Sequence, residues 1–119
     1  MVVRCIRTCI TNASPTIINS DLHEYLKIGT DYEVYGIRIY EGINYFMIFD
    51  DGHLIEVPSS MFDIIDGKVS PLWVVKCSEK NEITFWPDLF YNEDFFEKFS
   101  EWEYNERKSF AKLEHFFKI

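Results

Sequence analysis

Between Asp31 and Tyr40 the apolar residues change phase: Tyr32 and Val34 fall on even positions, Ile37 and Ile39 on odd ones, with Gly36 between them. Side chains alternate between the two faces of an extended strand, so the apolar side cannot switch without an extra residue or a sharp bend. A glycine at the switch predicts a bulge or bend at Gly36. Strongly bent strands of this kind are how a small sheet closes on itself, so the segment argues for a compact β structure.

The flanking sequence repeats strand and turn signals. An apolar, β-branched segment, Val2 to Ile10, opens the chain with Arg4, Arg7 and Thr8 interspersed, and Asn12-Ala13-Ser14-Pro15 ends it. Glu41-Gly42 reads as a turn, and Tyr45 to Phe49 is a continuous apolar run. Asp50-Asp51-Gly52 then precedes Leu54, Ile55 and Val57. An Asp-Gly pair between two such runs predicts a tight hairpin, because both central residues of a type I′ turn need positive φ. Pro58-Ser59-Ser60 stops that strand, and Met61 to Ile65 reads as a short turn and a last strand. Leu72 to Cys77 and Glu82 to Trp86 predict a second hairpin around Glu79-Lys80-Asn81, with Trp73 and Trp86 near its open end.

Pro87 ends the strand signals and helix signals follow. Asn92 reads as an N-cap, with Glu93 and Asp94 in the first turn. Phe95, Phe99 and Trp102 then form one apolar stripe, which predicts that all three are buried. A second helix is expected from Asn105, with Phe110, Leu113 and Phe117 on its inner face. The expected fold class is α+β, mainly β: residues 1–66 form a bent barrel-like part, and residues 67–119 add a hairpin and helical tail on the same core of a single domain.

The first 66 residues carry a resemblance. Val3-Arg4-Cys5-Ile6, then Ile28-Gly29-x-x-Tyr32-x-Val34, then Tyr45-x-x-x-Phe49-Asp50-Asp51-Gly52, then Val57-Pro58-x-x-Met61-Phe62-Asp63-Ile64-Ile65 are similar to a group of small bacterial SH3-like barrels. The resemblance implies about five strongly bent strands with binding done by loops. Some proteins of similar size and build are immunity proteins of toxin systems. Residues 70–119 have no counterpart in that group.

Chemistry-bearing motifs are sparse. His23, His53 and His115 lie far apart, and Cys5-x-x-x-Cys9 lacks a second pair at zinc spacing. On an extended strand Cys5 and Cys9 would stand about 13 Å apart, beyond disulfide reach. Reduced thiols and the reading of the Met1 to Arg7 segment as too short and interrupted for a signal peptide point to the cytoplasm. Cys77 or Ser59 could be combined with His53 on paper, but no nucleophile elbow or phosphate-cradling glycine loop accompanies them. Asp50-Asp51 suits a hairpin turn better than acid–base catalysis. Glu101, Glu103 and Glu106 read as a solvated helix end. A non-enzyme without metal or cofactor is expected.

Net charge is −8, with ten acids against four bases in residues 1–66 and ten against eight in residues 67–119. A field of that sign repels nucleic acid and anionic membrane and attracts cationic proteins. Carboxylates interleaved with tyrosines suit a cationic partner, charge raising the on-rate and rings supplying contact area. The candidate partner-binding residues are Glu41, Asp50, Asp51, Glu56, Asp63, Tyr35 and Tyr45, expected to gather at one end and side of the barrel. The expected function is a protein-binding inhibitor, an immunity protein that covers a basic, nuclease-type toxin. The alternative is an SH3-like adaptor or structural module of the kind phages carry.

Overall fold

The computed structural model describes residues 1–8 and 26–118. Cys9, Asp21, His23 and Ile10, the end of the expected first strand, lie outside them; within the described residues that strand is shorter than expected, ending at Cys5 with Ile6 to Thr8 beyond it. The elements, in chain order, are β1 (Val2–Cys5), β2 (Asp31–Glu33), β3 (Gly36–Tyr40), β4 (Ile43–Asp50), β5 (His53–Pro58), a 3₁₀ turn (Ser59–Met61), β6 (Phe62–Asp66), β7 (Trp73–Cys77), β8 (Ile83–Pro87), a second 3₁₀ turn (Asp88–Tyr91), α1 (Phe95–Ser100) and α2 (Tyr104–Phe117). The fold is mostly β with two helices at the end of the chain, an α+β arrangement as expected. Among the described residues all strand pairs are antiparallel, in a three-stranded sheet ordered β2-β1-β6 and a five-stranded sheet ordered β5-β4-β3-β8-β7.

The phase change around Gly36 is the joint between the sheets. Val34 N–H donates to the Met1 carbonyl, and the next residue, Tyr35, donates instead to the Met47 carbonyl. The chain thus leaves β1 and joins β4 within one residue. Val34 packs in the core between the sheets, and Tyr35 packs in a second core on the far face of the larger sheet. Gly36 is required by close approach: a Cβ there would lie 2.6 Å from Trp86 Cδ1.

The tight turns follow their residues. Glu41-Gly42 (φ 52° and 77°) and Asp51-Gly52 (φ 48° and 80°) have positive φ at both central positions, as type I′ turns demand. In the β7–β8 hairpin Ser78 N–H donates to the Glu82 carbonyl at 2.9 Å, and Asn81 takes the left-handed conformation at φ 58°. Trp73 and Trp86 stand at its open end on opposite faces, because Val74, not Trp73, is the cross-strand partner of Trp86. Trp73 donates its indole N–H to the Tyr35 carbonyl at 2.9 Å, pinning the hairpin to the strand that changes sheets.

Both faces of the five-stranded sheet are covered. Val3, Val34, Phe46, Ile48, Val57 and Met61 are among the residues filling the space between the sheets. On the other face Tyr35 and Met47 meet Phe90, Phe95, Phe99 and Phe110 from the helical end. The Phe99 and Phe110 rings pack edge-on with centroids 5.2 Å apart, and Phe49 lies 4.8 Å from Phe110. Each buried phenylalanine contributes on the order of 1.5–3 kcal/mol, so the two helices are held by packing rather than by their own propensity.

Two expectations for this region are corrected. Asn92 is not the cap of α1: the segment after Pro87 forms a 3₁₀ turn, Asn92 closes it, and its carbonyl accepts the Phe95 N–H at 3.1 Å. The helix starts at Phe95 behind Asp94, which sits at φ 61° and makes no side-chain cap, so Glu93 and Asp94 fall before the first turn. Phe95 and Phe99 are buried, but Trp102 is 61% exposed. Its own φ of 60° takes it out of the helical path between α1 and α2, off the stripe.

Candidate interaction surface

The expected acidic cluster does not form as one face. Glu41 lies in the β3–β4 turn, and Asp50 and Asp51 lie in the β4–β5 turn at the other end of β4. Seven steps of strand separate these turns by about 23 Å. Asp63 is elsewhere again, on β6 of the smaller sheet opposite Arg4, whose guanidinium is already bound to Asp31 at 2.7 Å. Turn-forming acids end up wherever turns are, and an antiparallel strand puts successive turns at opposite ends.

The two tyrosines are also inside. Tyr35 is 3% exposed, its ring centroid 5.3 Å from that of Phe110 and 4.8 Å from that of Phe117. Burial, with Glu114 and Glu33 nearby, holds its phenol well above the usual range. Tyr45 is 8% exposed, lying between its cross-strand partners Arg38 and Pro58. Neither presents a ring to solvent as expected of an anchor.

Glu56 and Tyr45 do come together, around a residue the sequence reading passed over. Cross-strand partners share a face, and the register aligns Thr84, Arg38, Tyr45 and Pro58 in one row across β8, β3, β4 and β5. The Arg38 guanidinium lies 4.8 Å from the Tyr45 ring centroid and 5.5 Å from that of Tyr40. Its Nε donates to Glu56 Oε2 at 2.9 Å, and Nη1 stands 3.6 Å from Glu82 Oε2. Burial works against the Arg38 charge, but the two carboxylates outweigh it and raise its pKa. Glu56 on β5, Arg38 on β3 and Glu82, the residue just before β8, therefore form a charged bridge over the β5-β4-β3-β8 part of the sheet, at the border of the helical layer.

Beside this bridge runs a groove of about 440 Å³ with Met47, Leu54, Trp86 and Phe96 as apolar walls and Arg38, Glu56 and Glu82 as its charged side. Arg38 is the one visible clue to it, a cation between Ile37 and Ile39 in a strand otherwise committed to the core. The pairing of β3 with β8, which delivers Glu82 and Trp86, is a long-range event with no local signal.

Cys5 is buried with its thiol donating to the Arg7 carbonyl at 3.3 Å, and burial raises its pKa. Cys77 is exposed on β7. Among the described residues no three His, Cys, Asp or Glu side chains gather as metal ligands, and no helix is long and apolar enough to cross a membrane. No family model, no curated protein and no solved structure matches the chain.

Proposed function

We propose that this chain is a non-catalytic binding domain that inhibits a basic protein by covering it, as an immunity protein covers a nuclease-type toxin. The observation that carries the reading is the Glu56–Arg38–Glu82 bridge beside the Trp86 and Phe96 groove. Arginine, tyrosine and tryptophan dominate binding hot spots, and here the half-buried Arg38, Tyr40 and Trp86 stand on strands, so little is lost in ordering them. Each carboxylate uses Oε2 on Arg38, leaving a second oxygen for a lysine or arginine of the partner. The net charge of −8 favours the same partner, with Glu41, Asp50 and Asp51 as outlying charges that steer it.

In this proposal residues 1–66 are an SH3-like barrel. The path supports it: Asp31 to Tyr40 passes from one sheet to the other, a 3₁₀ turn separates β5 from β6, and β6 returns beside β1.

The test is capture of the partner from the native host by co-purification and mass spectrometry, followed by binding kinetics at several salt concentrations. A cationic toxin domain should emerge, with an on-rate that falls as salt rises, since exposed charges are screened over about 8 Å at physiological ionic strength. Glu56→Lys with Glu82→Lys should lower the on-rate about tenfold or more. An on-rate indifferent to salt and to the double reversal overturns the reading.

A further inference from the structure

The groove beside Arg38 is built from two neighbouring cross-strand rows. Arg38 stands in one of them; in the next, Met47 has Gly36 as its partner on one side and Glu56 on the other. Gly36 has no side chain, and Trp86 takes up the space, its Cδ1 2.6 Å from where a Cβ would stand. Met47 is buried and forms the floor, and Leu54 adds to the apolar lining. Phe96, from α1, meets Trp86 with ring centroids 5.4 Å apart and planes inclined by 71°. The two rings thus make a corner rather than a flat wall.

Charge is not balanced in this groove. Among the described residues that line it, two carboxylates, Glu56 and Glu82, face the single guanidinium of Arg38, which leaves one negative charge in excess. Arg38 holds Oε2 of each glutamate and lies over the Tyr45 and Tyr40 rings, so its own charge is directed away from the Trp86 and Phe96 corner. The Glu56 and Glu82 side chains are each 27% exposed, open to a group entering from solvent.

We infer, resting on the function proposed above, that the groove takes one arginine side chain of the basic partner. Its guanidinium lies against the Trp86 and Phe96 rings, and its N–H groups donate to the free oxygens of Glu56 and Glu82. A metal ion is disfavoured there, because the Arg38 guanidinium already stands between the two carboxylates. A lysine would also neutralise the excess charge, but its strongly hydrated ammonium gains less from a site walled by Met47, Leu54 and two rings. A guanidinium is more weakly hydrated, stacks on rings and presents several donors in a fixed plane. The chain holds one of its own guanidiniums in this manner: that of Arg107 lies 3.6 Å from the Phe99 centroid and 3.5 Å from that of Trp102.

The test needs no partner. Amide and indole chemical shifts of the labelled domain are followed while N-acetyl-Gly-Arg-Gly-amide is titrated into the millimolar range at low salt. The corresponding lysine and citrulline peptides are run in parallel, citrulline keeping the shape of arginine without its charge. The arginine peptide should give saturable shifts centred on Arg38, Glu56, Trp86 and Phe96. The lysine peptide should bind about threefold more weakly or worse, and the citrulline peptide should not saturate. Glu82→Gln and Phe96→Leu should each weaken the arginine peptide about threefold to fivefold, with circular dichroism showing that each variant is folded. Absence of saturable binding, shifts centred elsewhere, equal binding of the lysine or citrulline peptide, or indifference to either folded variant overturns the inference. The proposed function fails separately, through a captured partner that is not basic or partner kinetics indifferent to Glu56→Lys with Glu82→Lys, whatever the peptides do.

Discussion

Arg107 ties together parts of the chain that are far apart in sequence. Its Nη1 donates to the Gly52 carbonyl at 2.6 Å, and Nε and Nη2 donate to the Phe99 carbonyl at 3.1 and 2.6 Å. The guanidinium is stacked between two rings, 3.6 Å from the Phe99 centroid and 3.5 Å from that of Trp102. Trp102 in turn covers Gly52, where an added Cβ would come within 2.8 Å of the indole. This explains a tryptophan that is mostly exposed: it forms the outer plate over an arginine that staples the helical end to the β4–β5 turn. Arg107→Ala should cost about 2–3 kcal/mol in denaturant unfolding, and Arg107→Lys should recover little, since an ammonium cannot span both carbonyls while stacked. Tyr35 and Tyr32 give a second prediction at this scale. Burial raises both phenol pKa values, so the folded chain holds protons that the unfolded chain releases above about pH 10. The stability these phenols contribute is complete below that pH and is lost as pH rises toward their folded-state values. In a spectrophotometric titration both should ionise together with unfolding, and Tyr35→Phe should shrink that abrupt step. A smooth titration of every tyrosine before unfolding would contradict their burial.

At the scale of elements, the helices and the five-stranded sheet complete each other. α1 has six residues and neither helix has a side-chain cap, while Phe95, Phe99 and Phe110 are buried against Tyr35 and Met47. Deleting residues 92–119 should expose that face of the sheet and abolish cooperative unfolding, measured by calorimetry. A truncated chain that still melts sharply near the full-length temperature would show that the sheets stand alone. The strands and the helix types were legible because periodicity and turn chemistry are local. The two Asp-Gly-like turns, the joint near Gly36 and the inner face of α2 all follow from residues within one or two turns of each other. What was not legible depends on pairing across distance. Nothing near Asn92 reveals that Pro87 launches a 3₁₀ turn that uses it as a stop. Nothing near Trp102 reveals Arg107 and Gly52 as its neighbours. Tyr35 looks like surface in a strand pattern because the helical layer that buries it lies some 75 positions further along the chain.

For the whole molecule, composition argues for a cationic partner in the proposed function but does not locate a surface to meet it. A net charge of −8 is a property of the sum, and the acids that produce it include residues in turns at both ends of β4, on both sheets and in the helical end. The cross-strand register, not the count of carboxylates, gathers Glu56 and Glu82 onto Arg38 and sets them beside the Trp86 and Phe96 groove. The central claim is that this border of the helical layer is where the domain binds. An amide chemical-shift map of the labelled domain, free and saturated with its captured partner, tests it directly. The account predicts the largest changes at Arg38, Tyr40, Glu56, Glu82 and Phe96, with smaller ones at the Glu41 turn. Changes confined to β1, β2 and β6, with the Arg38 row unmoved, would contradict it.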